Sequence, residues 1–292
     1  MLNKKYKVLP SKIQKSISLK SNVIYVIRGE VRVLQGIRIK AEDKCMLYIV
    51  NGIFKNSRLK RSALIFNQGS FLDAQNLTIK ACDSNHKQEK KANNGGIWFL
   101  GSNASASKDG ISIKRRHIAK SSMYSANSLN VSYLGREDGN TNNDDDIDGI
   151  SILGLTKTEW QIKKVKSAFS GDDAIDITNS HITLDHLEVN QPVEDGINLS
   201  SSRLEINRSI KVKMPKNGIR DRDLFDFEVD DGASYLEIHK GCLVDIHGVF
   251  GDQIILSSEE MPKPVTKHGN ERAYRFNRKL KKSALIYTID RD

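Results

Sequence analysis

The chain has 292 residues, 38% of them hydrophobic, with five prolines, twenty glycines and a formal net charge of +10. That length holds one large or two ordinary domains, and the composition excludes a disordered chain. The longest early apolar run, Val23 to Ile27, is far too short to cross a bilayer, and no apolar stretch of signal-peptide length follows Lys4, Lys5 and Lys7. The chain is therefore expected to be cytoplasmic, exported without a standard signal, or cut from a longer protein. Cys45, Cys82 and Cys242 are odd in number and far apart, which gives neither a disulfide framework nor a paired metal spacing.

The net charge hides a division. Residues 1–61 carry a net +12, residues 137–231 a net −10 and residues 263–282 a net +7. Basic patches of this kind attract nucleic acid, anionic lipid or an acidic polysaccharide, or are simply a solvated lysine-rich surface. The basic N-terminus lacks the interleaved aromatics of a nucleic-acid module, so nucleic acid is the least expected partner.

In chain order, residues 1–22 show no clear period and read as an N-terminal cap. Val23–Ile27, Val31–Val33, Ile37–Ile39, Met46–Val50, Ala63–Phe66 and Leu77–Ile79 read as short strands, with Asn51-Gly52 and Asn67-Gln-Gly-Ser70 as turns. Residues 83–95 and 102–110 are polar loops flanking a buried strand at Gly96–Leu100, and residues 114–126 have room for one helical turn. Ser128-Leu-Asn-Val131 resumes the strand pattern. From there the chain repeats. Asp148-Gly-Ile-Ser-Ile152, Asp173-Ala-Ile-Asp-Ile177, Asp195-Gly-Ile-Asn-Leu199 and Asp223-Leu-Phe-Asp-Phe227 align, with steps of 25, 22 and 28 residues between the aspartates. Behind them, Asn179-Ser-His-Ile-Thr-Leu184, Ser201-Ser-Arg-Leu-Glu-Ile206 and Ala233-Ser-Tyr-Leu-Glu-Ile238 align as well, and Ser128 looks like an earlier member of the Ser180, Ser202, Ser234 series. Pro262 and Pro264 end the regular pattern, and Ala284–Ile289 reads as a last strand folding back.

Strand-length alternation recurring every 20 to 30 residues or so is the mark of stacked coils. No long segment has a 3.6-residue period, so alternating βα units are not expected, while an antiparallel two-sheet sandwich is the alternative. The pattern resembles right-handed parallel β-helix proteins of the pectin lyase-like kind. That resemblance implies an all-β fold: an N-terminal cap over residues 1–22, a single-stranded right-handed parallel β-helix over 23–256 and a C-terminal cap over 257–292. Many proteins of this kind are polysaccharide lyases, glycoside hydrolases, tailspikes or adhesins, so polysaccharide is the implied partner.

If the repeats stack in register, Asp148, Asp173, Asp195 and Asp223 line one edge with Asp172 beside them. Like charges one rung apart must protonate or bind a cation, and a carboxylate pair can act as general acid and base on a glycosidic bond. Ile147-Asp148-Gly149 followed by Gly171-Asp172-Asp173 resembles the first two motifs of polygalacturonase-type glycoside hydrolases. The resemblance implies catalytic roles for Asp148, Asp172 and Asp173, with Asp195, Arg220 and Trp160 binding substrate. Glu194-Asp195-Gly196 stands where that family has its histidine motif, and Asn217-Gly-Ile-Arg220 lacks its lysine. The alternative role for each aspartate is to cap a turn by accepting backbone N–H bonds.

Asp144, Asp146 and Asp148, followed by Gly149, space oxygen ligands as a calcium loop does, although Leu155 stands at the twelfth position. Calcium on the acid ladder is equally expected, and a solvated acidic loop is the plain alternative. Trp98 and Trp160 either stack on sugars or sit in the core, and the seven histidines show no ligand spacing. No phosphate-binding glycine loop, Gly-x-Ser-x-Gly elbow or zinc spacing is present. Two functions follow: a carbohydrate-active enzyme acting on an acidic polysaccharide, or a non-catalytic β-helix that binds, adheres or supports.

Overall fold

The computed structural model describes residues 5–55, 58–104, 121–136, 147–215, 222–250, 255–257, 266–268 and 271–288. Among them there is no helix, and hence none long and apolar enough to cross a membrane. Their strands form one sheet of seventeen, one of eight and a two-stranded ribbon. The fold is all-β, and pairing in the two main sheets is parallel except among the last strands of the chain. That pairing removes the antiparallel sandwich.

The chain alternates between the two sheets. Strands Ile150–Leu153, Asp176–Thr178, Asn198–Ser200 and Asp226–Glu228 pair in sequence within the smaller sheet, aligning Ser151, Asp176, Asn198 and Asp226. After each visit the chain enters the larger sheet, where His181–Asn190 pairs with Arg203–Lys213 and that strand with Tyr235–Ile238 and Leu243–Phe250. His181, Arg203 and Tyr235 therefore share one row. One extra residue enters opposite Asp185, a bulge that bends the long strand between Leu184 and His186.

Side-chain alternation explains the two sheets. His181–Asn190 alternates buried and exposed positions, so one face meets the core and the other meets water. Ile97–Leu100 and Ile150–Leu153 are buried at every position, and such strands read as continuous apolar runs. Their inward residues, such as Phe99 and Ile152, join one core shared by strands of both sheets, while Trp98, Leu100 and Leu153 join Ala63, Ile65, Ala104 and Ile147 on the other face. Each fully buried Leu, Ile or Phe contributes about 1.5–3 kcal/mol through loss of water contact. Phe66 and Phe99, aligned on neighbouring strands, stack at 5.2 Å.

The turn from the smaller sheet into the larger one is a single left-handed residue, Asn179 at φ 48° and Ser201 at φ 50°. The serine that follows staples the turn. The Ser180 amide donates to Ser202 Oγ at 2.9 Å, the Ser202 amide to Ser234 Oγ at 3.3 Å, and the Leu155 amide to Ser180 Oγ at 2.9 Å. The earlier member of this series is Ser122 rather than Ser128. Ser122 Oγ accepts the Gly69 amide at 2.8 Å, whereas Ser128 lies in mid-strand against Asn76.

Parallel pairing already begins within the first 22 residues, where Lys5–Val8, Lys12–Ile13 and Ile17–Leu19 pair with Val23–Ile27, Glu30–Val33 and Arg38–Ala41. These strands are two to four residues long, too short to print a period. At the other end, Ala284–Thr288 and Glu271–Lys279 run antiparallel against Tyr235–Ile238 and Leu243–Phe250. Residues 114–120, within the expected helical turn, lie outside the described residues, and Met123–Ser132 is strand.

Candidate functional site

The four repeat aspartates stand in register. Each lies three residues before an aligned position of the smaller sheet, and their main chains are bonded in sequence: Gly149 N–H donates to the Asp173 carbonyl, Ala174 to Asp195 and Gly196 to Asp223, at 2.9–3.0 Å. The side chains continue the series. The Asp195 amide donates to Asp173 Oδ1 at 2.9 Å, and the Asp223 amide to Asp195 Oδ1 at 2.5 Å. Asp148, Asp172, Asp173 and Asp195 are all buried, and Ser151 Oγ donates to Asp148 Oδ2 at 3.3 Å.

Gly171 lets the turn pass close to Arg136, whose Cα and amide nitrogen would lie 2.8 Å from a Cβ at that position. The next residue, Asp172, meets Asp173 and Glu194, with one carboxylate oxygen of each within 4.8 Å of the others. Asp172 Oδ1 is out of solvent and has no hydrogen-bond partner. Burial, then the charges of Asp173 and Asp148, push the Asp172 carboxyl up to about 12. Asp195 is pushed up to about 10, again by burial first and then by Asp173, against the lowering effect of the Asp223 amide. Three hard carboxylate oxygens at this spacing, one of them bare, are the donor type that calcium takes.

The remaining predicted site residues do not gather here. Asp144, Asp146 and Arg220 lie outside the described residues. Trp160 is buried in the core, edge-on to Phe99 at 5.3 Å, and Trp98 is wholly buried with Nε1 donating to the Gly95 carbonyl. Neither ring offers a face to a sugar. The three cysteines are free and buried, and burial pushes Cys82 up to about 12 and Cys242 to about 11.

A second constellation, not anticipated from sequence, lies at the other end of the same short strands. A groove of about 640 Å³ runs beside the left-handed turns, lined by Thr156, Lys157, Asn179, His181, Arg203 and Tyr235 among others. Under it, Glu205 gathers basic side chains: Lys157 Nζ at 2.6 Å, His181 Nε2 at 2.8 Å, Arg203 Nε at 3.3 Å and His239 Nε2 at 3.9 Å. Despite the cost of burial, hydrogen bonds from Lys157 and His181 hold the Glu205 carboxyl down at about 2. Arg203 also pairs with Glu237 through Nη2. Its Nε is out of solvent and not aligned to hydrogen-bond Glu205. The sequence signal was present in the second repeat: two positions after His181, Arg203 and Tyr235 stand Thr183, Glu205 and Glu237.

Comparison with known protein families, with characterised proteins and with solved structures finds no match to this chain.

Proposed function

We propose that this chain is a right-handed parallel β-helix, pectin lyase-like in architecture, that binds polysaccharide without cleaving it. The observation that carries the non-catalytic part is the spending of the acid ladder on the backbone: Asp173 and Asp195 are buried, and each accepts the amide that opens the next turn. A carboxylate committed in that way is a turn cap. The coil reading is supported by parallel registers that step through both sheets in chain order. The ligand class is supported by Lys157 and Arg203 at the rim of a groove, whose N–H groups suit the acid groups of a polymer.

A second reading, glycoside hydrolysis by Asp148, Asp172 and Asp173, is favoured by one feature, the raised carboxyl of Asp172 beside Asp173, with its Oδ1 unpartnered. Two arguments weigh against it. An inverting pair needs carboxyl groups about 6.5–9.5 Å apart with water between them, and a retaining pair about 5–5.5 Å with its nucleophile open to the sugar, whereas Asp172 and Asp173 are both buried, with oxygens within 4.8 Å of each other. An acid pushed up to about 12 also holds its proton far more tightly than catalysis near neutral pH favours. Calcium, where bound, takes the place of that proton among Asp172, Asp173 and Glu194.

The test is a glycan array followed by product analysis of every glycan retained. Retention without new reducing ends or unsaturated products is the expected result. Products that vanish in Asp172→Asn and Asp173→Asn establish the hydrolase instead.

A further inference from the structure

The groove above Glu205 is built differently from the rest of the surface. Its rim comes from three aligned positions on successive rungs, His181, Arg203 and Tyr235, so an imidazole, a guanidinium and a phenol ring project in one row. Neighbouring strands lie about 4.8 Å apart, which sets the spacing of that row. Lys157 reaches it from the loop before Trp160. Left alone, long cationic side chains are disordered on a surface and lose entropy when they grip a ligand. Here they are held in advance. Glu205, with its side chain only 9% exposed, anchors Lys157, His181 and Arg203, while their own side chains remain 49%, 42% and 43% exposed.

One buried carboxylate does not use up these donors. An ammonium has three N–H groups and a guanidinium five. The Lys157 contact with Glu205 is a single pair, and Arg203, whose buried Nε lies 3.3 Å from Glu205, pairs with Glu237 through Nη2. Beside the cations lie small polar side chains, Thr156, Asn179 and Ser201, and the ring of Tyr235, which is backed by Tyr287 at 6.0 Å in a stacked arrangement. Cations for an acid group, hydroxyls and an amide for hydroxyls, and a supported aromatic face are the elements that recognise a charged sugar.

We propose that this groove is the site that binds an acidic saccharide, with Arg203 and Lys157 taking its carboxylate or sulfate and Tyr235 packing on its ring. The class of ligand rests on the polysaccharide-binding reading; the location does not. The acidic turn around Asp172 then has no part in ligand capture.

The test uses the full chain and three probes: an oligogalacturonate, an oligomer of dextran sulfate, and neutral dextran of similar length. Titration calorimetry is expected to show binding of at least one acidic probe and none of dextran; which one identifies carboxylate or sulfate. Lys157→Gln and Arg203→Gln are each expected to weaken it about ten- to a hundredfold, the worth of a charge-assisted hydrogen bond. Tyr235→Ala is expected to weaken it about tenfold, and Lys211→Gln, on the exposed face of the larger sheet, is expected to leave it unchanged. Thermal melts check that each variant is folded; if Arg203→Gln is not, Lys157→Gln and Tyr235→Ala decide. Binding that ignores the groove variants, or falls equally with Lys211→Gln, overturns the groove and leaves polysaccharide binding standing. Failure of the unaltered chain to bind any glycan on the array or either acidic probe overturns both.

Discussion

The amide of Asp195 donates to the carboxylate of Asp173 at 2.9 Å across 22 residues of sequence. Asp195 then offers its own carboxylate to the amide of Asp223. Each acid thus does for the next turn what the previous acid does for its own. The two roles, acceptor by side chain and donor by main chain, explain why an acid recurs at this position through turns of different length. They also explain how like charges are tolerated, since Asp195 is held neutral by burial and by its acidic neighbours.

A neutral acceptor is all that the ladder needs. Asp195→Asn keeps an oxygen for the Asp223 amide and removes the proton that folding must take up there at pH 7. Asp195→Ala leaves the Asp223 amide without this acceptor, which costs about 1–3 kcal/mol where the group is buried. In urea unfolding, the Asn variant is expected to match or exceed the parent stability at pH 7. The Ala variant is expected to fall below it by that amount. Equal losses in the two variants would show that the carboxyl group itself, not an oxygen acceptor for the Asp223 amide, is what position 195 supplies.

The raised acids and the lowered one act in opposite directions with pH. Asp172 and Asp195, pushed up to about 12 and about 10, are protonated in the fold and ionised in the unfolded chain over the wide range above their ordinary value of 3.8. Folding therefore takes up protons there, and stability falls as pH rises above about 4, by about 1.4 kcal/mol per unit for each proton taken up. Glu205, held at about 2 against an ordinary 4.5, stays ionised in the fold, so its contribution is complete above 4.5 and is lost as pH falls toward 2. These three groups together place the stability maximum at about pH 3.7, where proton uptake by Asp172 and Asp195 overtakes proton release by Glu205. Asp172→Asn is expected to flatten the fall on the alkaline side, as measured by urea unfolding from pH 4 to 9.

Glu205 itself is expected to be costly to neutralise. Glu205→Gln removes the charge that faces Lys157, His181 and Arg203 while keeping the volume. Breaking one side of a largely buried pair costs up to about 3–5 kcal/mol, and the half-exposed cations here can rehydrate, so a loss of about 1–3 kcal/mol is expected. It is read by urea unfolding at pH 7. The same variant at pH 2.5 should differ from the parent much less, because the parent carboxylate is by then largely titrated in the unfolded chain and approaching titration in the fold.

The repeat carried most of the architecture because registers and residue spacing are the same fact seen twice. Aspartates 25, 22 and 28 residues apart fall on one edge because turns absorb the difference in length. The His181, Arg203, Tyr235 row was equally legible, yet its meaning was not. Glu205 matters through Lys157, a loop residue with no fixed place in the repeat. Glu194 was hidden for a similar reason: it precedes an aligned aspartate, and only the path of the turn brings it to Asp172. Trp160 misled because sequence tells an aromatic strand residue from an exposed one only through neighbours such as Phe99, 61 positions away in the chain but packed edge-on against its ring. The strands within the first 22 residues left little mark in the sequence because they are two to four residues long and bury few side chains, chiefly Ile13 and Leu19.

The glycine of Gly171-Asp172-Asp173 has a role that the acids depend on. A Cβ at position 171 would meet the Arg136 Cα and amide nitrogen at 2.8 Å and the Ala92 Cβ at 2.9 Å. Arg136 cannot retreat freely, because its amide and carbonyl are both bonded to Ile147 at 2.7 and 3.0 Å. The Gly171 amide is itself held by the Leu134 carbonyl at 2.8 Å. Gly171→Ala must therefore push two backbones apart, and forced overpacking of this kind costs about 1–3 kcal/mol. Gly36→Ala is the control: nothing lies within 4 Å of its Cβ, so only the left-handed φ of 79° opposes it, a cost of about 1 kcal/mol. Urea unfolding is expected to rank Gly171→Ala as the more damaging. Because the shift also moves Asp172 away from Asp173 and Glu194, Gly171→Ala should in addition reduce the fall of stability with rising pH. A variant that loses stability while keeping the parent's pH slope would show that Gly171 supports the packing of Arg136 but not the placement of the acids.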